Sequence, residues 1–374
     1  MLYFDHNATH PLSRVARNAW LEATERYIGN PSSPHRLGAR ADAALSGARE
    51  KLAGWLGCAP GQIVWTSGAT EANNAALHHV ALAREGEAWV SAIEHPCVIE
   101  AARHHLPARH KLIPVNEHGV VDLTWLAKAL KNQRPGLVGV MAANNETGVL
   151  QPWREALALC REHGVPYFCD AAQWIGKLPA AGLGECDFLS GCGHKFGSPQ
   201  GVGFLKVPTK FVPQIVGGPQ ENDRRAGTEN VAGVIAMVAA LEERTAVLTP
   251  AAIAERVEIR DDFEANLRGI LPGVEVIGAA GERLWNTVSA VMLEARDCRQ
   301  RWVVKLDKLG FAASTGSACA SGKEQTSHVM AAMGVPAGKA SRVLRFSSGW
   351  ETRAADWQEL RDGLSRAWRE LSVG

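Results

Sequence analysis

Very little in this chain points toward a polyanion or a membrane. Its 374 residues carry 40 Lys and Arg against 39 Asp and Glu, so the formal net charge is only +1. Such a balance gives no global pull toward nucleic acid or anionic lipid, and direct nucleic-acid and membrane partners are not expected. No apolar run approaches the roughly 20 residues needed to cross a bilayer, and the opening MLYFDHNATHPL lacks the basic and then apolar layout of a signal peptide. A cytoplasmic location is expected. The eight cysteines contain no CxxC pair and no regular framework, which argues against a zinc site and a disulfide scaffold and for free thiols in a reducing compartment. Internal repeats and low-complexity segments are also missing. What remains is an ordinary globular composition, 46% hydrophobic and 21% charged, in a chain long enough for about two domains.

Helical periods alternate with short apolar runs through the first two thirds. Helices are expected over 40–56 and 70–84, and strands over 62–65, 88–92, 137–142, 166–169, 187–190 and 202–207. That alternation predicts an α/β unit with a mainly parallel sheet covered on both faces. After Thr228 the texture shifts to long helical stretches over 229–243 and 251–267, strand-like runs at 287–293 and 343–346, and an amphipathic helix over 352–371. A smaller α+β domain is therefore expected over residues 251–374, joined by residues 1–12, with the large domain over 13–250.

Three stretches can carry chemistry. In IVWTSGATEANN a strand, a turn at Gly68 and a helix start at Ala69 and Thr70 bring backbone N–H groups and hydroxyls together, a natural phosphate seat. It matches neither dinucleotide nor nucleoside-triphosphate patterns, and a plain capped helix is the competing reading. In FCDAAQWIG, Asp170 falls where an apolar strand ends, the edge at which open α/β sheets bind ligands. A carboxylate there can pair with a cationic ring nitrogen, or simply cap the next turn. In DFLSGCGHKFGSPQGVGF, Lys195 stands in a Gly-rich turn where burial would lower its pKa enough for Schiff-base chemistry, although most loop lysines are only solvated. A phosphate seat, a strand-end Asp about 100 residues on and a lysine 25 residues later together suit pyridoxal phosphate.

The resemblance is then broad. YFDHNATHP, GNPSSPHRLG, TSGATEANN, EHPCV, NNETG, DAAQ, GHKFGSPQGVG, RAGTEN, STGSACASG and RFSSGW follow one another as in cysteine desulfurases of the NifS/IscS type, and they span nearly the whole chain. The chain resembles that family, which has the fold-type-I aminotransferase architecture: a large domain with a mainly parallel seven-stranded sheet, plus a smaller α+β domain. The resemblance implies pyridoxal 5'-phosphate held by Lys195. Ala69, Thr70, Cys192 and His194 would lie at its phosphate, joined by Thr228 from the partner chain of a homodimer. Asp170 would meet the ring nitrogen, Gln173 the ring oxygen and His95 the ring face. Asn30, Asn145 and Arg345 would bind the substrate, L-cysteine, with Asn145 also touching the cofactor. Arg345 sits in an otherwise apolar strand, which gives a physical reason for an anionic partner, with a structural ion pair as the alternative.

The implied reaction converts L-cysteine to L-alanine and leaves the sulfur on Cys319 as a persulfide, for delivery to an acceptor protein such as those of iron-sulfur cluster assembly. Cys319 stands among tiny and polar residues, between Gly316 and Gly322, a composition that predicts an exposed and flexible segment. Cys192 replaces the usual Ser three residues before the lysine, and His10 stands where Thr is usual. The same fold serves selenocysteine lyases and aminotransferases, and a partner-dependent sulfur-relay protein is the reading from a different class.

Overall fold

The short apolar runs become strands because nearly every residue in them is buried. The computed structural model describes residues 1–295, 298–316 and 327–372. Its strands are, in chain order, β1 (Leu2–Tyr3), β2 (Ile63–Thr66), β3 (Ala88–Ser91), β4 (His110–Ile113), β5 (Leu137–Gly139) and β6 (Tyr167–Asp170). They continue with β7 (Phe188–Cys192), β8 (Gly203–Lys206), β9 (Glu275–Val276), β10 (Thr287–Val291), β11 (Phe311–Ala312) and β12 (Val343–Ser347). Seven of them form one sheet in the order β2-β8-β7-β6-β5-β3-β4. Neighbours from β7 through β4 pair in parallel, whereas β8 runs antiparallel to both β2 and β7.

Alternate residues of these strands feed two apolar layers. Trp65, Trp89, Cys169, Leu189 and Phe204 enter one core cluster, and their neighbours Val64, Val90, Phe168, Phe188 and Leu205 enter the other. Burial on both faces is the reason the strands read as continuous apolar runs and not as alternating ones. The edge strand β4 was not apparent from the sequence. Its Lys111 and Leu112 are exposed, so the run HKLI lacks the apolar signature of its neighbours.

A second sheet joins β10 to β12 and β9, all antiparallel, and β1 pairs in parallel with β11. A separate core packs around them, with Phe4, Phe263, Trp302, Phe346 and Trp357. The N-terminal segment thus belongs to this core through Phe4 while its next residues run to the large sheet, where the His10 N–H donates to His194 O at 2.7 Å. Among the described residues no helix is long and apolar enough to cross a membrane.

Candidate active site

Strands β2, β3, β5, β6 and β7 all run in one direction, so their C-terminal ends open on one edge of the sheet. Ligands of open α/β sheets bind at that edge. A cleft of about 460 Å³ lies there, and Ala69, Thr70, His95, Asn145, Asp170, Gln173, Cys192, His194 and Lys195 all line it.

The helix Ala69–Ala83 begins at the cleft with Gly68 as its N-cap residue and no side chain capping it. Apart from the Ala69 N–H, which meets the Cys192 sulfur, the first-turn N–H groups have no side-chain cap and can meet an anion. Gly68 holds φ 155° and ψ −179°, and a Cβ on Gly203 of the adjoining β8 would lie 2.7 Å from the Gly68 Cα. Only glycines let the strand and the helix start approach so closely.

Asp170, at the end of β6, is 4% exposed. Its Oδ2 accepts from Asn73 Nδ2 at 2.8 Å and its Oδ1 from the Ala172 N–H at 2.9 Å. Gln173, one turn later, donates through Nε2 to Asn7 O at 2.9 Å. His95 caps the helix Pro96–His105, and its Nδ1 accepts the Cys97 N–H at 3.2 Å. An obligate donor on Nδ1 means that the neutral ring carries its proton on Nε2. The Cys97 sulfur also lies 2.9 Å from Nδ1 and accepts from Asn73 Nδ2 at 3.1 Å. Asn73 thereby links the thiol beside His95 to the Asp170 carboxylate.

Lys195 follows β7 on a 3₁₀ turn, and its Nζ donates to Asn7 O at 2.7 Å and Ala8 O at 2.8 Å. Burial lowers its pKa below the ordinary lysine value. Burial also lowers the pKa of His95, and it takes that of His194 down to about 4, with the Lys195 charge adding to the effect at His194. The thiols move the other way: burial pushes Cys192 up to about 11 and Cys97 up to about 12, so both stay protonated at neutral pH.

Other expected residues lie elsewhere. Arg345 on β12 is 1% exposed and does not line the cleft. Its Nη2 pairs with Asp5 Oδ1 at 2.6 Å, and its Nη1 donates to Asn145 O at 2.9 Å and Gly316 O at 3.2 Å. Thr228 and Asn30 are exposed and outside the cleft, with Asn30 Oδ1 accepting the Ser32 N–H at 2.9 Å. Cys319 lies outside the described residues. Asn7, Asn73 and Cys97 were not singled out in the sequence. All three stood within quoted stretches, EHPCV, YFDHNATHP and TSGATEANN, but Asn7 reaches Lys195 across 188 positions, a separation no local pattern displays.

The chemistry of this donor set fits pyridoxal phosphate. An uncapped helix start suits its phosphate, a buried strand-end carboxylate its ring nitrogen, and a lysine with lowered pKa its aldehyde.

Comparison with known proteins agrees with this geometry. The family model described as aminotransferase class-V matches residues 2–360. A cysteine desulfurase of Enterobacter agglomerans is 38% identical over 360 residues, covering 94% of this chain and 88% of that protein. Among solved structures, a NifS-like protein has a TM-score of 0.89 at 29% identity, covering 99% of this chain and 100% of that one. The structure of SspA in complex with cysteine has a TM-score of 0.79 at 27% identity, covering 93% of this chain and 98% of that one. The chain belongs to the class-V aminotransferase family, in its branch of cysteine desulfurases.

Proposed function

We propose that the protein is a pyridoxal-phosphate-dependent cysteine desulfurase that converts L-cysteine to L-alanine and takes the sulfur onto Cys319 as a persulfide. The observation that carries this reading is the meeting of Lys195, Asp170, His95 and the uncapped Ala69 helix start in one cleft. When bound, the cofactor supplies an electron sink that acidifies the substrate Cα–H and weakens its Cβ–S bond.

The chain's own residues would do the rest. Lys195 holds the cofactor, the first-turn amides with Thr70 and His194 hold its phosphate, Asp170 its ring nitrogen and Gln173 its ring oxygen. Released from the cofactor, the Lys195 amine has an enlarged neutral fraction near pH 7 and takes the Cα proton. His95 is a neutral ring with its proton on Nε2, the nitrogen not occupied by Cys97, and it can donate that proton in the cleft. Arg345, Asn145 and Asn30 receive the substrate in this reading, and Arg345 exchanges Asp5 for the substrate carboxylate. Cys319 attacks the substrate sulfur, an S–S bond forms as the Cβ–S bond breaks, and the three-carbon remainder leaves as alanine.

The unit in this reading is a cytoplasmic homodimer. Exposure of Thr228 away from its own cleft supports a role in the partner's site. Sulfur would pass from Cys319 to an acceptor protein. The test is to supply L-cysteine with a reductant and follow alanine and sulfide, which wild type should form in equal amounts and Lys195→Ala should not form at all. Steady release of a 2-oxo acid in place of alanine would mean transamination instead.

A further inference from the structure

Lys177 has no part in the chemistry described so far, yet it is 4% exposed. It sits four residues after Gln173 on the turns that follow β6, where the Ile175 N–H donates to Ala171 O and the Leu178 N–H to Trp174 O. That spacing puts the two side chains on one side. The Lys177 Nζ donates to Gln173 Oε1 at 2.5 Å and to Asn7 Oδ1 at 2.9 Å, and among the described residues it pairs with no carboxylate. Burial, with the charges of Lys195 and Arg345, lowers its pKa well below the ordinary lysine value. A lysine without an anion is among the costliest groups to bury, so its presence calls for a reason.

The reason lies in what its two acceptors do next. Lysine donates hydrogen bonds, so the oxygen end of the Gln173 amide must face Lys177. The nitrogen end then gives one N–H to Asn7 O, and one N–H is left for the cleft that Gln173 lines. Asn7 is the hub: its backbone oxygen receives both Lys195 Nζ and Gln173 Nε2, and its side chain donates to Asn145 O at 3.2 Å and Thr287 Oγ1 at 2.9 Å. We propose that Lys177 is a positioning residue for the reaction. From beneath the cleft it fixes the Gln173 amide so that only an N–H faces the cofactor ring oxygen, and it anchors Asn7 where that residue receives the Lys195 amine. The proposal rests on the cofactor reading above.

The test is an absorbance titration of the cofactor-loaded enzyme against pH in wild type, Lys177→Met, Lys177→Arg, Gln173→Ala and the Lys177→Met, Gln173→Ala double variant. Without Lys177 the Gln173 N–H is no longer held toward the ring oxygen, and a donor that favours the deprotonated chromophore is lost. The titration midpoint of Lys177→Met should therefore rise by about one pH unit, a tenfold gain in proton affinity. Gln173→Ala should show the same rise, the double variant no more than either alone, and Lys177→Arg, which keeps a donor, a midpoint close to wild type. An unchanged midpoint in Lys177→Met, or additive shifts in the double variant, would overturn the proposal. If Lys177→Met does not fold, an unchanged midpoint in Gln173→Ala, or a fully shifted one in Lys177→Arg, overturns it equally. Alanine formation by wild type, measured alongside, separates this result from the reaction itself: an enzyme that binds cofactor but makes no alanine contradicts the proposed reaction and leaves the midpoints to decide the role of Lys177.

Discussion

Cys97 gives His95 its tautomer, because both its N–H and its sulfur address Nδ1. Replacing it by Ala leaves the backbone donor but removes the thiol that Asn73 ties to Asp170. Cys97→Ala should lower kcat/KM by about fivefold, the equivalent of one hydrogen bond, while Cys97→Ser, which keeps a donor, should stay near wild type; steady-state alanine formation reads both. Arg345 is the second residue where two roles can be separated. Asp5→Asn removes its counter-ion. If the guanidinium serves the substrate carboxylate, KM for L-cysteine should fall as the competitor disappears; an unchanged KM with a stability loss of about 3 kcal/mol would assign Arg345 to structure alone. Asp170 and Lys195 were legible in the sequence because strand and turn signals flank them. The roles of Asn7 and Asn73 were not, since their partners stand 188 and 97 positions away.

The site depends on elements as much as on side chains. At the junction of β8 with the Ala69–Ala83 helix, a Cβ on Gly203 would meet Gly191 O at 2.6 Å as well as the Gly68 Cα. Backbone on both sides cannot yield as a flexible side chain would. Gly203→Ala should cost about 1–3 kcal/mol in thermal or denaturant unfolding and weaken phosphate retention by displacing the helix start, seen as faster loss of cofactor absorbance on dialysis. A variant as stable and as retentive as wild type would show that this close approach is dispensable. The strands buried on both faces were readable from their apolar runs, and so were the long helices, to within a few residues of Arg36–Leu56, Val231–Val247 and Pro250–Ile270. The exposed edge β4 was not, because it presents no clear apolar period, and the helix Cys298–Lys308 was missed although Trp302 and Leu306 stand one turn apart in its core face.

For the whole molecule, groups with lowered pKa contribute to the response to acid, and among the histidines the buried His6 and the half-buried His194 are shifted furthest. Burial takes the His6 pKa down to about 3 and that of His194 down to about 4, against an ordinary value near 6.5. The unfolded chain binds these protons first, so burying the two rings costs the apoprotein nothing above about pH 6.5, and the cost grows as pH falls toward 4, by up to about 1.4 kcal/mol per pH unit for each ring. Chemical denaturation at a series of pH values should show this slope, and His6→Gln should reduce it; a flat profile from pH 7 to 4 would contradict the assignment. The proposed sharing of a cleft between subunits belongs to the same scale. If Thr228 serves the partner's cleft, mixing Lys195→Ala with the weakened Thr228→Ala protein should raise activity above the sum of the two alone, by up to about a quarter of wild type in a random dimer population. No such gain would place Thr228 outside the partner's cleft. The family resemblance implied a shared cleft, and the fold places Thr228 and Asn30 outside the cleft of their own chain.

The most direct test is to incubate the cofactor-loaded protein with L-cysteine without reductant, then measure alanine and the mass of the peptide containing Cys319. Alanine should form together with one added sulfur on that peptide. Alanine with the added sulfur on another cysteine, or no alanine from protein that retains its cofactor, would contradict the proposed function.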